Sequence, residues 1–303
     1  MPEYAHLKGI IAAVPTPLRE DFQVDQDRLI EFCAFLLGPG GCDGINLLGT
    51  TGEATSLSTD ERLAIMRRVA NSDLPLSQIM VGTGAAAFSD AVTLSRSAME
   101  LGFAGALLLP PFYYKGIDSE GVATFVADVI RRVSSNGFRL YLYNFPQNTG
   151  LSYDVEVIDR LRQIFPSCLL GLKDSSGVLD NSATIARTIR DLDVFPSAEA
   201  SLSRADELGF AGIISATANI SGQFAQKAWN ERGRDARAAL DHAVALRTAI
   251  SQFPLVASVK AAVAIRTGQP LWRTTMPPLT ALSNDQYAAL ETALRGCGEP
   301  GAA

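Results

Sequence analysis

The segment that decides the fold is the sixth of a series of short apolar runs, and it reads Leu169-Leu170-Gly171-Leu172-Lys173-Asp174-Ser175-Ser176-Gly177. A run of this length predicts a buried strand that ends near Lys173. The predicted strands of the whole chain are Ile10–Val14, Gly44–Leu48, Ile79–Gly82, Gly105–Leu109, Leu140–Phe145, Leu169–Lys173, Val194–Pro196 and Gly212–Ser215. Helical patterns separate them, and this alternation predicts a parallel sheet covered by helices.

Eight strand–helix units fill about the first 220 residues of the 303, which is typical of a closed (β/α)8 barrel, the TIM barrel. An open doubly wound sheet is the alternative, and the number of units favours the barrel. Beyond Phe224 the segments Ala236–Ile250 and Leu255–Ile265 predict helices. We therefore expect an α/β protein with a barrel over residues 1–223 and a C-terminal helical extension over residues 224–303. The last six residues predict a frayed tail.

Composition limits the class of function. The net charge of −6 offers no basic surface for nucleic acid, and no apolar run approaches the length of a membrane span. The chain has two histidines and four cysteines without a Cys-x-x-Cys pair, so a His-rich or Cys-rich metal site cannot be built. Without a recognisable secretory signal, we expect a cytoplasmic protein whose chemistry relies on Lys, Tyr, Thr, Ser and carboxylates.

The turn after the third predicted strand imitates a dinucleotide-binding motif. Gly82, Gly84 and Ala87 fit the pattern Gly-x-Gly-x-x-Ala. That motif requires an acidic residue about 20 positions later, at the end of the next strand. Here the next strand ends in Pro110-Pro111. A tight strand-to-helix turn is therefore favoured, and no nicotinamide or flavin cofactor is expected.

Polar and aromatic residues cluster where four of the strands end, which is where a parallel barrel carries its active site. These ends read Gly49-Thr50-Thr51-Gly52-Glu53, Pro110-Pro111-Phe112-Tyr113-Tyr114, Tyr143-Asn144-Phe145-Pro146 and Lys173-Asp174. Because side chains alternate along a strand, Tyr143 and Lys173 are predicted to point inward, with Asp174 on the opposite face. Neighbouring strands lie ~4.8 Å apart, so the phenol and the amine are expected within hydrogen-bonding reach.

This arrangement favours carbonyl chemistry. A lysine amine that loses its proton on burial attacks ketones, and a neighbouring tyrosine can move the protons that imine formation requires. The Gly-Thr-Thr-Gly loop supplies donors for a carboxylate, so the site predicts a 2-keto acid ligand. Each part also has a purely structural interpretation: a turn, a packed aromatic ring, or a lysine paired with Asp174. Lys260 is a rival nucleophile, but it lies in a predicted helix.

Taken together, these motifs resemble the dihydrodipicolinate synthase / N-acetylneuraminate lyase superfamily of class I aldolases. The resemblance runs from about Leu7 to the end of the helical region and includes Gly212-Ile213-Ile214-Ser215. It implies that Lys173 forms the Schiff base and that Tyr143, linked to Thr51, relays protons. Tyr113 would complete the relay from the adjacent subunit of a homotetramer, a dimer of dimers.

The same resemblance implies how the substrate is held. Thr50 and Thr51 would bind the pyruvyl carboxylate, and the carbonyl of Ile214 would line the site. No metal or organic cofactor is implied. The expected partner is therefore a small 2-keto acid.

One position departs from the pattern of true dihydrodipicolinate synthases, which carry an arginine where this chain has Asn148. Asparagine cannot form a charged bidentate clamp on a second carboxylate. Asn148 with Ser175, Ser176 and Glu199 suits a hydroxylated substrate better. We therefore expect a lyase that cleaves or forms a 2-keto-3-deoxy sugar acid or a related 2-keto acid, with pyruvate as the common product or substrate.

Three alternatives remain open at this point. The first is a Schiff-base dehydratase acting on the same sugar acids. The second is a 4-hydroxy-tetrahydrodipicolinate synthase, which Asn148 disfavours. The third is a barrel that binds a keto acid without catalysis, and the presence of both Lys173 and Tyr143 argues against it.

Overall fold

The computed structural model describes residues 6–133, 137–232 and 236–298. Its eight strands are β1 (Gly9–Ala13), β2 (Gly44–Leu47), β3 (Ile79–Gly82), β4 (Gly105–Leu108), β5 (Leu140–Asn144), β6 (Leu169–Asp174), β7 (Asp193–Pro196) and β8 (Gly212–Ser215). Each overlaps a strand predicted from the apolar runs. The predicted frayed tail lies outside the described residues apart from Gly298.

The helices alternate with these strands and then continue alone. They are α1 (Gln26–Leu37), α2 (Thr59–Ala70), α3 (Phe88–Glu100), α4 (Ser119–Val133), α5 (Pro146–Thr149), α6 (Val155–Ile164), α7 (Leu179–Thr188), α8 (Ala205–Leu208), α9 (Ala218–Asn230), α10 (Arg237–Ile250), α11 (Leu255–Thr267) and α12 (Asn284–Gly296). Ser58 and Glu61 form a capping box at the start of α2. Between β7 and β8 the chain forms only a short 3-10 segment, Glu199–Arg204, and the single turn of α8, which ends at left-handed Gly209.

All eight strands run parallel in the order β7-β6-β5-β4-β3-β2-β1-β8. The sheet closes between its two ends, where Val194 bridges to Phe210 and also accepts a hydrogen bond from the amide of Ala211 at 3.0 Å. The predicted (β/α)8 barrel is therefore confirmed, and the open doubly wound sheet is excluded.

Side-chain alternation divides the core into two layers. Leu140, Leu142 and Leu172 belong to the large cluster between the strands and the surrounding helices. Tyr141 and Tyr143, on the other face of β5, belong to a smaller cluster that fills the barrel interior. Burying apolar side chains on both faces accounts for the nearly continuous apolar character of these strands.

The C-terminal helices pack against the barrel rather than stand apart from it. Helix α11 is buried almost all round, and α10 packs on α9. The predicted boundary between residues 223 and 224 falls inside the continuous helix α9. Within the described ranges no single helix is long and apolar enough to cross a membrane, although α10 and α11, bent by 114°, meet that test as a pair.

The side chain of Arg62 packs against the glycine-rich turn after β3. The Arg62 guanidinium donates to the carbonyls of Gly82 at 2.9 Å and Gly84 at 3.0 Å. A methyl group on Gly82 would lie 2.1 Å from the carbonyl oxygen of Leu48, so only glycine fits there. This segment is a tight strand-to-helix turn that packs closely against the neighbouring strand end.

Candidate active site

Lys173 and Tyr143 lie side by side at the carboxyl end of the barrel. They are register partners on β6 and β5, and each is 4% exposed. The Lys173 Nζ atom is 4.2 Å from the centroid of the Tyr143 ring, over its face. No carboxylate of a described residue lies within the 4.0 Å of an ion pair from this amine. Strand alternation thus placed both groups correctly, although the amine contacts the ring face and not the hydroxyl.

Both groups open into one cavity with a volume of about 490 Å³. Its walls come from the strand ends and from the C-terminal helices. Six of the predicted site residues other than Lys173 line it: Thr50, Thr51, Tyr143, Asn148, Ser175 and Ile214. The structure therefore brings together residues that are up to 164 positions apart, from Thr50 to Ile214.

The loop after β2 has a backbone shape that ordinary residues rarely adopt. Leu48 and Glu53, which flank it, both have positive φ angles, of 52° and 57°. Side chains other than glycine are strained in this region, and such strain is typical of functional loops. The Thr50 hydroxyl lies 3.4 Å from the Tyr143 hydroxyl. The resemblance links Tyr143 to Thr51, whereas this contact is made by Thr50; Thr51 is buried in the cavity wall.

Asp174 points away from Lys173, as its position one residue later on the strand predicts. Its carboxylate accepts hydrogen bonds from the side chains of Asn144 at 2.9 Å and Ser182 at 2.6 Å. It also accepts from the Ser176 backbone amide at 2.9 Å. These bonds hold the loop that follows β6 and the start of α7, so Asp174 supports the end of β6 and is not part of the cavity wall.

Three predicted site residues do not line the cavity: Ser176, Glu199 and Tyr113. Ser176 binds Asp174 through its amide and hydroxyl. Glu199 is fully buried. Its carboxylate accepts hydrogen bonds from the hydroxyls of Ser215, Thr217 and Ser221. It also forms an ion pair with Arg247. Glu199 therefore lies outside the cavity wall with both carboxylate oxygens bonded to protein, and its contact with substrate stays a prediction.

Tyr113 lies on the loop after β4 and is 71% exposed, packed edge-to-face against Tyr114. It does not line the cavity of its own chain. A role in the site of a neighbouring subunit stays a prediction. The exposure of two adjacent aromatic rings is compatible with it, since large exposed apolar groups often mark contact surfaces.

Arg247 is the functional candidate that sequence reasoning missed. It lies in the last turn of α10 and lines the cavity together with Lys173. Inspection of strand ends could not find it, because α10 belongs to the C-terminal region. In the sequence, Arg247 could have been noticed only because it lies shortly before Pro254, where the chain turns back into α11.

The rival nucleophile Lys260 lies in α11, as predicted, and outside the cavity wall. It forms a buried ion pair with Glu53, so its amine is occupied. The described residues include no group of three or more His, Cys, Asp or Glu side chains that could hold a metal ion.

Comparison with known proteins agrees with this geometry. The family model of the Dihydrodipicolinate synthetase family matches residues 6–296. A DapA-like lyase of Chloroflexus aurantiacus is 32% identical over 95% of this chain and 96% of its own length. A 4-hydroxy-tetrahydrodipicolinate synthase of Thioalkalivibrio sulfidiphilus is 33% identical over 70% of each chain.

A solved structure gives the same result. The crystal structure of dihydrodipicolinate synthase from Agrobacterium tumefaciens superposes with a TM-score of 0.88 at 30% identity, covering 95% of this chain and 99% of that one. The chain therefore belongs to the dihydrodipicolinate synthetase family, whose members are class I lyases that act through a lysine imine.

Proposed function

We propose that this enzyme cleaves, or forms in the reverse direction, a 2-keto-3-deoxy sugar acid or a related 2-keto acid through an imine at Lys173. Pyruvate is the common product or substrate. The observation that carries the proposal is the position of the Lys173 amine. It is buried at the mouth of the barrel over the ring of Tyr143, and no carboxylate of a described residue forms an ion pair with it. An amine held in this way is available to attack a carbonyl carbon.

The proposed reaction starts when the Lys173 amine adds to the C2 ketone. The carbinolamine hydroxyl leaves as water with a proton from Tyr143, which gives an iminium ion and a phenolate. The C3–C4 bond then breaks, and its electron pair moves towards the iminium to form an enamine. The C4 hydroxyl gives its proton to Tyr143 and becomes the carbonyl of the departing aldehyde. The enamine takes a proton at C3, and one water hydrolyses the imine to release pyruvate and the free amine.

The remaining lining residues are assigned by their position in the cavity. Thr50 and Thr51 bind the pyruvyl carboxylate with the hydroxyls and amides of their strained loop. Thr50 also contacts the Tyr143 hydroxyl and so can share in its proton transfer. Ile214, Asn148 and Ser175 line the same cavity. We assign the carbonyl of Ile214 to the wall of the site and assign Asn148 and Ser175 to the hydroxyl groups of the substrate.

We assign the active form to a homotetramer in the cytoplasm. All four cysteines are free, as is usual in proteins of a reducing compartment. The exposed pair Tyr113 and Tyr114 supplies a surface for subunit contact.

Borohydride trapping tests the proposal. Incubation of the protein with pyruvate and borohydride should attach one reduced pyruvyl group, and peptide mass spectrometry should find it at Lys173. Lys173→Arg should abolish the adduct, whereas Lys227→Arg, at an exposed lysine of α9, should leave it intact. An unmodified wild-type protein, or an adduct on another lysine, would contradict the proposed imine.

Product analysis then separates the reactions that share this imine. Incubation with a six-carbon 2-keto-3-deoxy sugar acid should release pyruvate and a three-carbon aldehyde in equal amounts. Loss of water without pyruvate release would assign the chain to the dehydratases instead. Condensation of pyruvate with aspartate semialdehyde faster than with any sugar-derived aldehyde would assign it to the synthases.

A further inference from the structure

We propose that Arg247 binds a second anionic group of the substrate, a carboxylate or a phosphate, at the end remote from the keto carbon. The inference rests on the proposed function and narrows its substrate class. The aldehyde that leaves or enters with pyruvate would then carry an acid group of its own.

The position of Arg247 is the first observation. Among the described residues that line the cavity, Lys173 and Arg247 are the cationic side chains. The amine of Lys173 is consumed by the imine, and the 2-keto acid carboxylate is assigned to the Thr50–Thr51 loop. Arg247 is therefore a second positive charge in the cavity wall, without a role in binding the pyruvyl half.

The second observation is the way in which the guanidinium is held. Its Nη1 atom donates to the carbonyl of Ser197 at 2.8 Å and to the Glu199 carboxylate at 3.0 Å. Nη1 also lies within reach of the hydroxyls of Ser215 at 3.4 Å and Thr217 at 3.3 Å. Among the described residues, Nη2 and Nε have no hydrogen-bond partner. The side chain keeps 27% of its surface exposed, while Glu199 is fully buried. One nitrogen thus anchors the group, and two donor nitrogens remain for a ligand.

The buried support behind Arg247 argues for a built site. Three hydroxyl groups, from Ser215, Thr217 and Ser221, already bond the Oε1 atom of Glu199. The other oxygen of that carboxylate binds Arg247. A guanidinium fixed in this way is preorganised, and its planar fork suits the two oxygens of a carboxylate or phosphate. Asn148, in the same wall, cannot supply that charge.

The consequence for the reaction is a preference among aldehydes. In the cleavage direction, a 2-keto-3-deoxy diacid or phosphorylated acid would give pyruvate and an anionic aldehyde. A purely structural ion pair between α10 and the barrel would create no such preference. The two roles therefore differ in a measurable quantity, the ratio of kcat/KM for anionic and neutral aldehydes.

The test uses aldehydes that share a three-carbon skeleton, condensed with pyruvate and followed by pyruvate consumption. Glyceraldehyde is neutral, tartronate semialdehyde carries a carboxylate, and glyceraldehyde 3-phosphate carries a phosphate. The wild-type enzyme should prefer one anionic aldehyde over glyceraldehyde by about tenfold or more in kcat/KM, as expected for charge-assisted hydrogen bonds. The better of the two anionic aldehydes identifies the group.

Variants then assign the preference to Arg247. Arg247→Gln should lower kcat/KM for the preferred anionic aldehyde by about 30- to 100-fold and leave glyceraldehyde within about threefold. Arg247→Lys keeps the charge opposite Glu199 and should lose part of the preference, since lysine lacks the planar fork. Arg237→Gln, at an exposed arginine of the same helix, should change neither value.

Several outcomes would overturn the inference. The first is a wild-type preference for glyceraldehyde, which can be read even if the Arg247→Gln protein fails to fold. The second is an equal loss for all three aldehydes in Arg247→Lys, which would mark the residue as structural. Trapping of pyruvate at Lys173 alongside either result would leave the proposed function intact, whereas absence of the imine would remove both.

Discussion

Lys173 and Asp174 are neighbours in the chain but perform opposite tasks. Lys173 faces the cavity, and Asp174 faces the layer behind it, where it bonds Asn144, Ser182 and the Ser176 amide. Strand geometry makes this division inevitable, because successive side chains point to opposite faces. The Asp174 carboxylate therefore positions the strand end and does not form an ion pair with the Lys173 amine.

Tyr143→Phe tests the proton relay at the residue scale. The variant keeps the ring beneath the Lys173 amine and removes the hydroxyl that contacts Thr50. We expect kcat for aldol cleavage to fall by about 10²- to 10⁴-fold, the usual contribution of general acid–base catalysis. The borohydride adduct with pyruvate should still form, and the thermal midpoint should change little. Unchanged kcat would exclude the tyrosine as the proton carrier.

At the scale of elements, the loop after β2 depends on α11 for its shape. Glu53, at the end of that loop, forms a buried ion pair with Lys260 and accepts a hydrogen bond from the Met276 amide at 2.6 Å. Burial lowers the pKa of Lys260, and the attraction of Glu53 opposes this shift. The pair connects the loop after β2 to the C-terminal helices, so the two regions hold one another in place.

Lys260→Met is expected to break this connection. Leaving Glu53 buried without its partner should lower the free energy of unfolding by about 3–5 kcal/mol. It should also raise KM for pyruvate, because Thr50 and Thr51 lie on the same loop. The double variant Glu53→Gln with Lys260→Met should recover part of the stability, since it removes the unpaired charge.

Urea unfolding and steady-state kinetics measure these effects. The exposed Lys227→Met serves as the control and should stay close to wild type in both. A loss of stability below about 1 kcal/mol in Lys260→Met would show that the pair contributes no more than an exposed ion pair does.

At the scale of the whole molecule, the cavity is assembled from two parts of the chain. The strand ends of the barrel supply Lys173, Tyr143 and the threonines, and the C-terminal region supplies Arg247 and Leu255. A barrel alone would leave one side of the site open to solvent. The helical region therefore completes the site, in addition to burying apolar surface.

Subunit mixing tests whether a third contribution comes from a neighbouring chain. Tyr113→Phe should lower kcat about 10²-fold if this tyrosine completes the proton relay, and Lys173→Met should be inactive. If Tyr113 acts across an interface, every site of the Tyr113→Phe protein lacks the tyrosine hydroxyl and every site of the Lys173→Met protein lacks the lysine. Mixing them under conditions of subunit exchange should then produce activity well above that of either parent, because some sites combine an intact lysine with an intact tyrosine.

Two results would contradict this arrangement. Mixed samples no more active than the sum of the parents would place Tyr113 in its own chain or outside the site. Sedimentation of the wild-type enzyme as a monomer at assay concentration would exclude a shared site altogether. The exposed Tyr114→Phe variant controls for general damage to this loop.

The amino-acid sequence by itself determined which segments form strands, that they close into a barrel, and that Tyr143 and Lys173 point inward. Period-two alternation and repeated strand–helix units are local properties that can be read from the sequence. Only the tertiary structure decided which residues complete the site. It placed Glu199 outside the cavity wall, with both of its oxygens bonded to protein, and it brought Arg247 from α10 to the cavity. Contacts between distant segments depend on how helices pack on the barrel, which no local pattern encodes.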